Sequence, residues 1–175
     1  MARKAVLILN LGSPDSTSTA DVRKYLKEFL LDERVIDANP VARNLLVRGI
    51  ILPTRPKKTA AAYKKVWTED GSPLVLTSKN VQEKVQEQVD MPVELAMRYG
   101  SPSIPEAIAR LKAQNIEKLF IMPMYPHYAM SSYETVLVRV QEELKIQAPA
   151  VTWTALQPFY KDNEYINALG ESART

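Results

Sequence analysis

Two short blocks of this sequence carry most of the side chains suited to binding a ligand. They read Leu95-Ala-Met-Arg-Tyr-Gly100 and Ile121-Met-Pro-Met-Tyr-Pro-His-Tyr-Ala-Met-Ser-Ser-Tyr-Glu134. Each block begins with an apolar run and then changes abruptly to aromatic, hydroxyl or charged residues. Guanidinium groups and free helix N–H groups both favour anions. The blocks therefore predict a ligand site that includes anion-binding groups.

These side chains follow two predicted strands, Val93–Met97 and Lys118–Met124, which a predicted helix connects. Strands joined in this way are expected to lie parallel and close together in one sheet. The carboxyl ends of parallel strands open into the crevice where α/β proteins bind ligands. We therefore expect both blocks to face one crevice.

The remaining pattern predicts an α/β fold, a Rossmann-like four-stranded parallel sheet with helices on both faces. The other two predicted strands are Lys4–Asn10 and Ala150–Leu156. The predicted helices are Thr19–Leu30, Pro40–Leu52, Lys57–Trp67, Leu74–Val89, Pro105–Gln114, Ser131–Ile146 and Asp162–Leu169. The first four helices form an excursion at about residues 15–90, which we expect to build a wall or lid of the crevice.

Composition predicts a single soluble domain over residues 1–175, with 46% hydrophobic and 25% charged residues. No apolar run is long enough to span a membrane, and the N-terminus leads directly into a predicted strand rather than a signal peptide. The absence of cysteine excludes disulfides and thiolate metal sites. We therefore expect a cytoplasmic protein.

The positive charge is concentrated between Ala38 and Thr68, which contains no acidic residue. The basic residues there are Arg43, Arg48, Arg55, Lys57, Lys58, Lys64 and Lys65. This pattern is typical of a solvated helical face, but it also suits an anionic ligand or peripheral contact with anionic lipid through residues 43–65. Nucleic-acid binding is not expected, because no recognition motif accompanies the charge.

Three candidate groups have alternative interpretations. Arg98, at the end of a buried strand, needs either a structural ion pair or a ligand carboxylate. Ser131 and Ser132 either cap a helix or contribute to an anion site. His127, the single histidine, is either a hydrogen-bonded loop residue or a candidate base or metal ligand, although one histidine makes no metal site.

A series of motifs resembles the ferrochelatase family, enzymes that insert ferrous iron into a porphyrin to make haem. In chain order they are Asn10-Leu-Gly-Ser-Pro14, Phe29-Leu-Leu-Asp-Glu-Arg-Val-Ile36, Gly71-Ser-Pro-Leu74, Ala96-Met-Arg-Tyr-Gly-Ser-Pro-Ser-Ile104 and Pro123-Met-Tyr-Pro-His-Tyr128. The resemblance covers the whole chain but only the amino-terminal half of a ferrochelatase. It implies two Rossmann-like domains facing each other across a cleft, of which this chain would be the first.

The resemblance also assigns expected substrate contacts. Leu11 would form an apolar wall against the porphyrin, and Arg98 and Tyr99 would contact a propionate or the ring. Arg55 would lie beside the mouth of the site. Near the propionates the resemblance places Tyr125, Tyr128, Ser131 and Ser132.

No catalytic residue is expected within residues 1–175, since the family's histidine and glutamate lie in the other half. His127 occupies a position where the family commonly has glutamine, so it does not match the catalytic histidine. We expect ferrous iron and a porphyrin as substrates, no tightly bound cofactor, and little activity from this chain alone. The opening motifs of this chain resemble those of the Gram-negative-type enzymes of the family. We therefore expect protoporphyrin rather than coproporphyrin as the substrate. An unpaired cleft wall also predicts self-association into homo-oligomers.

Two alternatives to a ferrochelatase stay open. One is a related tetrapyrrole chelatase that acts on another metal or ring. The other is a non-catalytic tetrapyrrole-binding protein, which would bind tightly without turnover even when the other half is present.

Overall fold

The computed structural model describes residues 2–174 and contains one sheet of four parallel strands in the order β2-β1-β3-β4. The strands are β1 (Lys4–Ser13), β2 (Val93–Gly100), β3 (Lys118–Pro123) and β4 (Thr152–Ala155). The predicted α/β fold and its all-parallel sheet are therefore confirmed. Both β1 and β2 extend three residues beyond the predicted ends, so Arg98 and Tyr99 lie on β2 rather than after it.

Alternating residues of the strands enter two separate cores. Leu7 and Leu9 of β1 and Ile121 of β3 face α5 (Ile104–Ala113) and α6 (Thr135–Gln147). Val6 and Ile8 face the opposite way, toward α4 (Pro73–Gln86). This period-two alternation between two helical layers is how a parallel sheet buries both of its faces.

The excursion between β1 and β2 begins with α1 (Thr19–Leu31), which packs against a long, irregular helical stretch. That stretch runs without interruption through α2 (Pro40–Asn44), a π-helical segment (Leu45–Ile51) and α3 (Leu52–Lys64). The sequence predicted two helices separated at Pro53, which is wrong. A π-type bond from the Leu52 N–H to the Val47 carbonyl widens the turn, and the Thr54 hydroxyl donates to the Ile50 carbonyl at 2.6 Å. Such irregular turns let a helix pass through a proline.

The caps of two helices agree with the sequence. Ser18 accepts a hydrogen bond from the Asp21 N–H at the start of α1, and Asn115 ends α5 with a left-handed φ of 54°. The prediction that Ser131 or Ser132 caps α6 is wrong. Residues Met130–Glu134 form a second π-helical segment that continues directly into α6, and Ala129 precedes it without a side-chain cap. The final helix, α7 (Asn163–Ser172), begins one residue after its predicted start, with Asp162 as its N-cap, and runs three residues beyond its predicted end.

Candidate active-site cleft

An open cleft of about 340 Å³ lies at the carboxyl end of β1. Its walls come from the end of β1, from α1, from the end of α3 and from the start of α4. The lining residues are Leu11, Gly12, Ser13, Tyr25, Tyr63, Val66, Trp67, Ser72, Pro73 and Leu74. A volume of a few hundred Å³, largely apolar and with a few hydroxyl groups, is typical of a small-molecule site.

Two glycines bring β1 and β2 together beneath this cleft. Gly12 has a φ of +98°, and a Cβ atom there would lie 1.8 Å from the Tyr99 carbonyl oxygen. Gly100 has a φ of +81°, and its Cβ would lie 2.4 Å from the Ser13 carbonyl oxygen. Only glycine fits both the backbone angle and the space. This close contact holds together the ends of β1 and β2 beside Leu11, which lines the cleft.

The cleft has an aromatic wall built by edge-to-face contacts. The ring of Tyr63 lies 6.4 Å from that of Tyr25 and 5.9 Å from that of Trp67, both nearly perpendicular. Tyr25 also meets Tyr99 edge-to-face at 6.4 Å and donates a 3.4 Å hydrogen bond to the Gly12 carbonyl. Edge-to-face pairs at these distances are favourable, so the wall holds its shape without a ligand.

Behind this wall, Arg98 forms an ion pair with Asp32 at the carboxyl end of α1. Its Nε donates to the Thr135 hydroxyl at 2.7 Å, and that hydroxyl donates to Asp32 Oδ2 at 2.5 Å. The Tyr99 hydroxyl donates to the same oxygen at 2.9 Å. The side chain of Asp32 is 4% exposed and that of Arg98 is 14% exposed. We call Asp32, Arg98, Tyr99 and Thr135 the Asp32 cluster.

In the structure Arg98 thus forms an ion pair with Asp32, the first of its two interpretations. Tyr99 is fully buried, and the guanidinium of Arg98 lies over its ring at 4.4 Å from the centroid. The Asp32 cluster joins α1, β2 and α6 rather than lining the cleft. Contact between these two residues and a substrate carboxylate stays a prediction.

The pKa values of the buried groups follow from these contacts. Burial alone would raise the pKa of Asp32, but hydrogen bonds from Thr135, the Arg34 N–H and Tyr99, with the charge of Arg98, hold it below its ordinary value. Burial raises the pKa of Tyr25, Tyr99 and Tyr125 well above that of a free tyrosine. These phenols stay protonated near neutral pH, and those of Tyr25 and Tyr99 donate hydrogen bonds.

The other predicted contacts are spread over the loop after β3. Tyr125 packs against the core, and its buried hydroxyl has no hydrogen-bond partner among the described residues. Tyr128 is 58% exposed and donates to Glu134. Ser131 is exposed and Ser132 half-buried in the second π-helical segment. None of these four residues lines the cleft that contains Leu11.

Two further predicted residues also lie outside the cleft lining. Arg55 is exposed on α3, the helix whose end forms the aromatic wall. His127 is exposed and stacks on Tyr160 with the ring centroids 5.2 Å apart. Within residues 2–174, no three histidine or acidic side chains are close enough to hold a metal ion.

The sequence interpretation missed most of the aromatic wall. Tyr63 and Trp67 are four residues apart at the end of a predicted helix, a spacing that places both on one face. Nothing in the local pattern shows that this face meets β1 and α1. Ser72 lies in the Gly71–Leu74 motif but was not predicted as a site residue. It precedes α4, and its side chain makes no capping hydrogen bond. Ser72 is a buried residue that lines the cleft.

Comparison with known proteins decides the family. The ferrochelatase family model matches residues 3–175. The chain belongs to the ferrochelatase family. A ferrochelatase of Opitutus terrae is 54% identical over 173 residues, which are 97% of this chain and 50% of that relative. One of Pseudomonas putida is 44% identical over 175 residues, 99% of this chain and 52% of the relative.

The chain therefore spans about half the length of the curated ferrochelatases that it matches. The two motifs that contain Gly12 and Gly100, Asn10–Pro14 and Ala96–Ile104, lie inside the matched region. Among residues 2–174 of this ferrochelatase-family chain, no helix is long and apolar enough to cross a membrane.

Proposed function

We propose that this chain is the porphyrin-binding half of a ferrochelatase that inserts ferrous iron into protoporphyrin IX to give protohaem. The observation that carries the proposal is the cleft at the end of β1, which combines an aromatic wall with the apolar side chain of Leu11. A flat tetrapyrrole needs such a surface on one side of its ring. Iron and porphyrin bind as substrates and leave together as protohaem, and no tightly bound cofactor is part of the proposal.

Polar groups around this cleft are suited to holding the edge of the ring. Ser72 offers a hydroxyl without a capping bond, and Tyr63 offers a phenol on the same wall. Arg55, Lys57 and Lys58 are exposed along α3 and supply positive charge toward which propionates are drawn. In this proposal Arg98 and Tyr99 support the wall from behind, and the loop of Tyr125, Tyr128, Ser131 and Ser132 borders the site at the neighbouring strand end.

Metal insertion requires removal of two pyrrole protons and access to the nitrogen lone pairs. A rigid wall that grips the periphery of the porphyrin uses binding energy to bend the ring and expose those nitrogens. The buried tyrosines stay protonated, and the single histidine is exposed outside the cleft lining, so neither group is placed to act as the base. We propose that the base is supplied by the other half of the full-length protein.

The test is an anaerobic titration of the chain with protoporphyrin and ferrous iron, followed by porphyrin absorption and fluorescence. We expect a saturable binding signal and no conversion to protohaem. The matched variants are Ser72→Ala in the cleft and Thr152→Ala, which is exposed on β4 and outside the cleft lining. The first should weaken binding by about 1 kcal/mol, the value of one hydrogen bond, and the second should not. Rapid protohaem formation would contradict the assignment of the base to the other half.

We also propose that the helical excursion makes peripheral contact with anionic membranes. Val41, Leu45 and Ile50 are 76%, 71% and 60% exposed, and Arg48 lies among them. Exposed apolar side chains beside basic ones are typical of helices that lie on a lipid surface. Leu45→Ser should reduce sedimentation with phosphatidylserine vesicles, whereas Ile146→Ser, on α6, should not.

Without vesicles, the exposed side chains of Val41, Leu45 and Ile50 are expected to favour self-association of the chain, which sedimentation velocity measures.

A further inference from the structure

A small pocket lies between the start of α2 and the second π-helical segment. Its volume is about 200 Å³, and it shares no lining residue with the candidate cleft. The connection between α1 and α2 supplies the rest of its wall. The lining residues are Glu33, Arg34, Asp37, Ala38, Pro40, Arg43, Met130 and Glu134. We call it the Arg43 pocket.

Arg43 is buried in the wall of this pocket without a counter-ion. It is 9% exposed, and its Nη1 donates hydrogen bonds to the carbonyls of Ile36 and Ala38 at 3.3 and 3.2 Å. Its Nε is buried and has no hydrogen-bond partner, and no carboxylate within residues 2–174 forms an ion pair with it. A buried charge is costly unless an opposite charge compensates it. The guanidinium is therefore suited to an anionic ligand.

The acidic side chains of the pocket restrict which anion can bind. Glu33 and Glu134 both pair with Arg34, at 3.2 and 3.4 Å, so two carboxylates share one guanidinium. Asp37 is exposed and adds a third carboxylate. These carboxylates would repel a simple anion, and Arg34 and Arg43 would repel a simple cation. A ligand that carries both an anionic and a cationic group avoids both kinds of repulsion.

The surroundings of the pocket favour a lipid as the source of such a ligand. Val41 directly follows Pro40 of the lining and is 76% exposed. Leu45, four residues further along the helical stretch, is 71% exposed. Met130, which itself lines the pocket, is 50% exposed. Apolar side chains exposed beside a charged pocket can contact acyl chains while the headgroup occupies the pocket.

We propose that the Arg43 pocket binds the headgroup of a lipid that carries a phosphate and a primary ammonium, such as phosphatidylethanolamine. The phosphate accepts hydrogen bonds from Arg43, and the ammonium donates to Asp37 and the neighbouring glutamates. This inference rests on the proposed membrane contact and adds selectivity to it. The basic residues of the excursion draw the chain to an anionic surface, and the pocket selects one headgroup there.

Short-chain lipids test the headgroup without a membrane. Dihexanoyl phosphatidylethanolamine, kept below its micelle concentration, is titrated into the chain of 175 residues by isothermal titration calorimetry. In an isotope-labelled chain, the NMR signal of the Arg43 Nε–H locates the bound lipid. The comparison lipids are dihexanoyl phosphatidylcholine, whose quaternary ammonium donates no hydrogen bond, and dihexanoyl phosphatidylglycerol, which has no cation. Free O-phosphoethanolamine distinguishes a soluble ligand from a lipid.

We expect saturable binding of the phosphatidylethanolamine lipid, with a shift of the Arg43 signal, and at least about tenfold weaker binding of the other three compounds. Arg43→Lys keeps the charge but loses the planar guanidinium, so it should weaken binding at least about tenfold. The matched control, Arg48→Lys, is exposed outside the pocket lining and should bind normally.

A second pair of variants leaves the buried arginine in place, so the test does not depend on the folding of Arg43→Lys. Asp37→Asn removes a carboxylate from the exposed rim and should weaken binding by about threefold. Asp90→Asn changes an exposed aspartate outside the pocket lining and should have no effect.

Equal affinity for the three headgroups would overturn the inference, and so would tightest binding of the phosphatidylglycerol lipid, which would show a site for anions only. Free O-phosphoethanolamine that binds as tightly as the lipid would overturn the assignment to a lipid. Sedimentation with phosphatidylserine vesicles without binding of the short-chain lipid would overturn the headgroup site alone. Binding of the short-chain lipid without sedimentation would support the headgroup site and contradict the proposed contact with anionic membranes.

Discussion

At the scale of single residues, Asp32 holds the structure behind the cleft. Its Oδ2 accepts hydrogen bonds from Tyr99 and Thr135 and pairs with Arg98, while Oδ1 accepts the Arg34 N–H at 2.8 Å. Sequence analysis found Arg98 but not its partner, which is 66 residues away along the chain. A periodic pattern carries no information about such a distant pair, and this is why both interpretations of Arg98 stayed open.

Replacing Asp32 should therefore cost stability. We expect Asp32→Asn to lower the free energy of unfolding by about 3 kcal/mol at pH 7, since it leaves Arg98 buried without its counter-ion. The control is Asp15→Asn, which removes a largely exposed ion pair with Lys24 and should cost less than about 1 kcal/mol. Urea denaturation of both variants measures the difference, and similar losses would show that the Asp32 cluster contributes no more than a surface pair.

The same variant gives a defined pH dependence. Because the pKa of Asp32 is lower in the folded protein than its ordinary 3.8, ionised Asp32 stabilises the fold above that pH. This contribution is lost as the pH falls through the folded-state pKa. The gap in unfolding free energy between wild type and Asp32→Asn should thus shrink steadily below pH 3.8. A gap that stays constant from pH 7 to the acid limit of folding would contradict the lowered pKa.

A glycine prediction belongs to the same scale. Gly12→Ala should destabilise the fold by about 3 kcal/mol, because its φ is +98° and the added Cβ would collide with the Tyr99 carbonyl. Gly170→Ala is the matched control, since no atom lies within 4 Å of the added Cβ in helix α7. That control should stabilise the protein slightly or leave it unchanged. Thermal unfolding measures the stability of both variants. Equal shifts of the two unfolding midpoints would contradict the prediction.

At the scale of elements, the sequence predicted regular segments well and irregular ones poorly. α5 was placed within one residue at each end because its apolar spacing and its capping residues agree. The stretch from Pro40 to Lys64 was divided into two helices because a proline normally ends a helix. The π-helical segment through which the chain continues packs against α1, and no local sequence pattern predicts it.

The capping residues yield an element-scale prediction. Ser103 and Glu106 form a reciprocal capping box at the start of α5, so Ser103→Ala should lower the free energy of unfolding by about 1 kcal/mol. Ser132→Ala should have little effect, because no side chain caps the segment that begins at Met130. Chemical denaturation compares the two. An equal cost would restore the predicted role of Ser131 or Ser132 as a cap.

At the scale of the whole molecule, strand and helix alternation was enough to predict the parallel sheet. The cleft lies at the end of β1, and neither of the two blocks expected to face one crevice contributes to its lining. Leu11 was expected to form an apolar wall against the porphyrin; the structure places it in the lining of the cleft, and its contact with porphyrin stays a prediction. The sequence did not show that Tyr63, Trp67 and Ser72 would join it, because the excursion folds back onto β1 through tertiary contacts. Nor did it show that Phe120 of β3 and Thr154 of β4 would remain exposed on the sheet.

The central claim is that the cleft at the end of β1 binds porphyrin. The most direct measurement is a fluorescence titration of protoporphyrin with Leu11→Asp and with Leu169→Asp, an exposed leucine on α7 remote from the cleft lining. A carboxylate in the cleft would meet both the apolar ring and the anionic propionates, so we expect at least about tenfold weaker binding for Leu11→Asp. Leu169→Asp should bind as the unmodified chain does. Unchanged affinity in a folded Leu11→Asp protein would show that porphyrin binds elsewhere, or that this chain does not bind it.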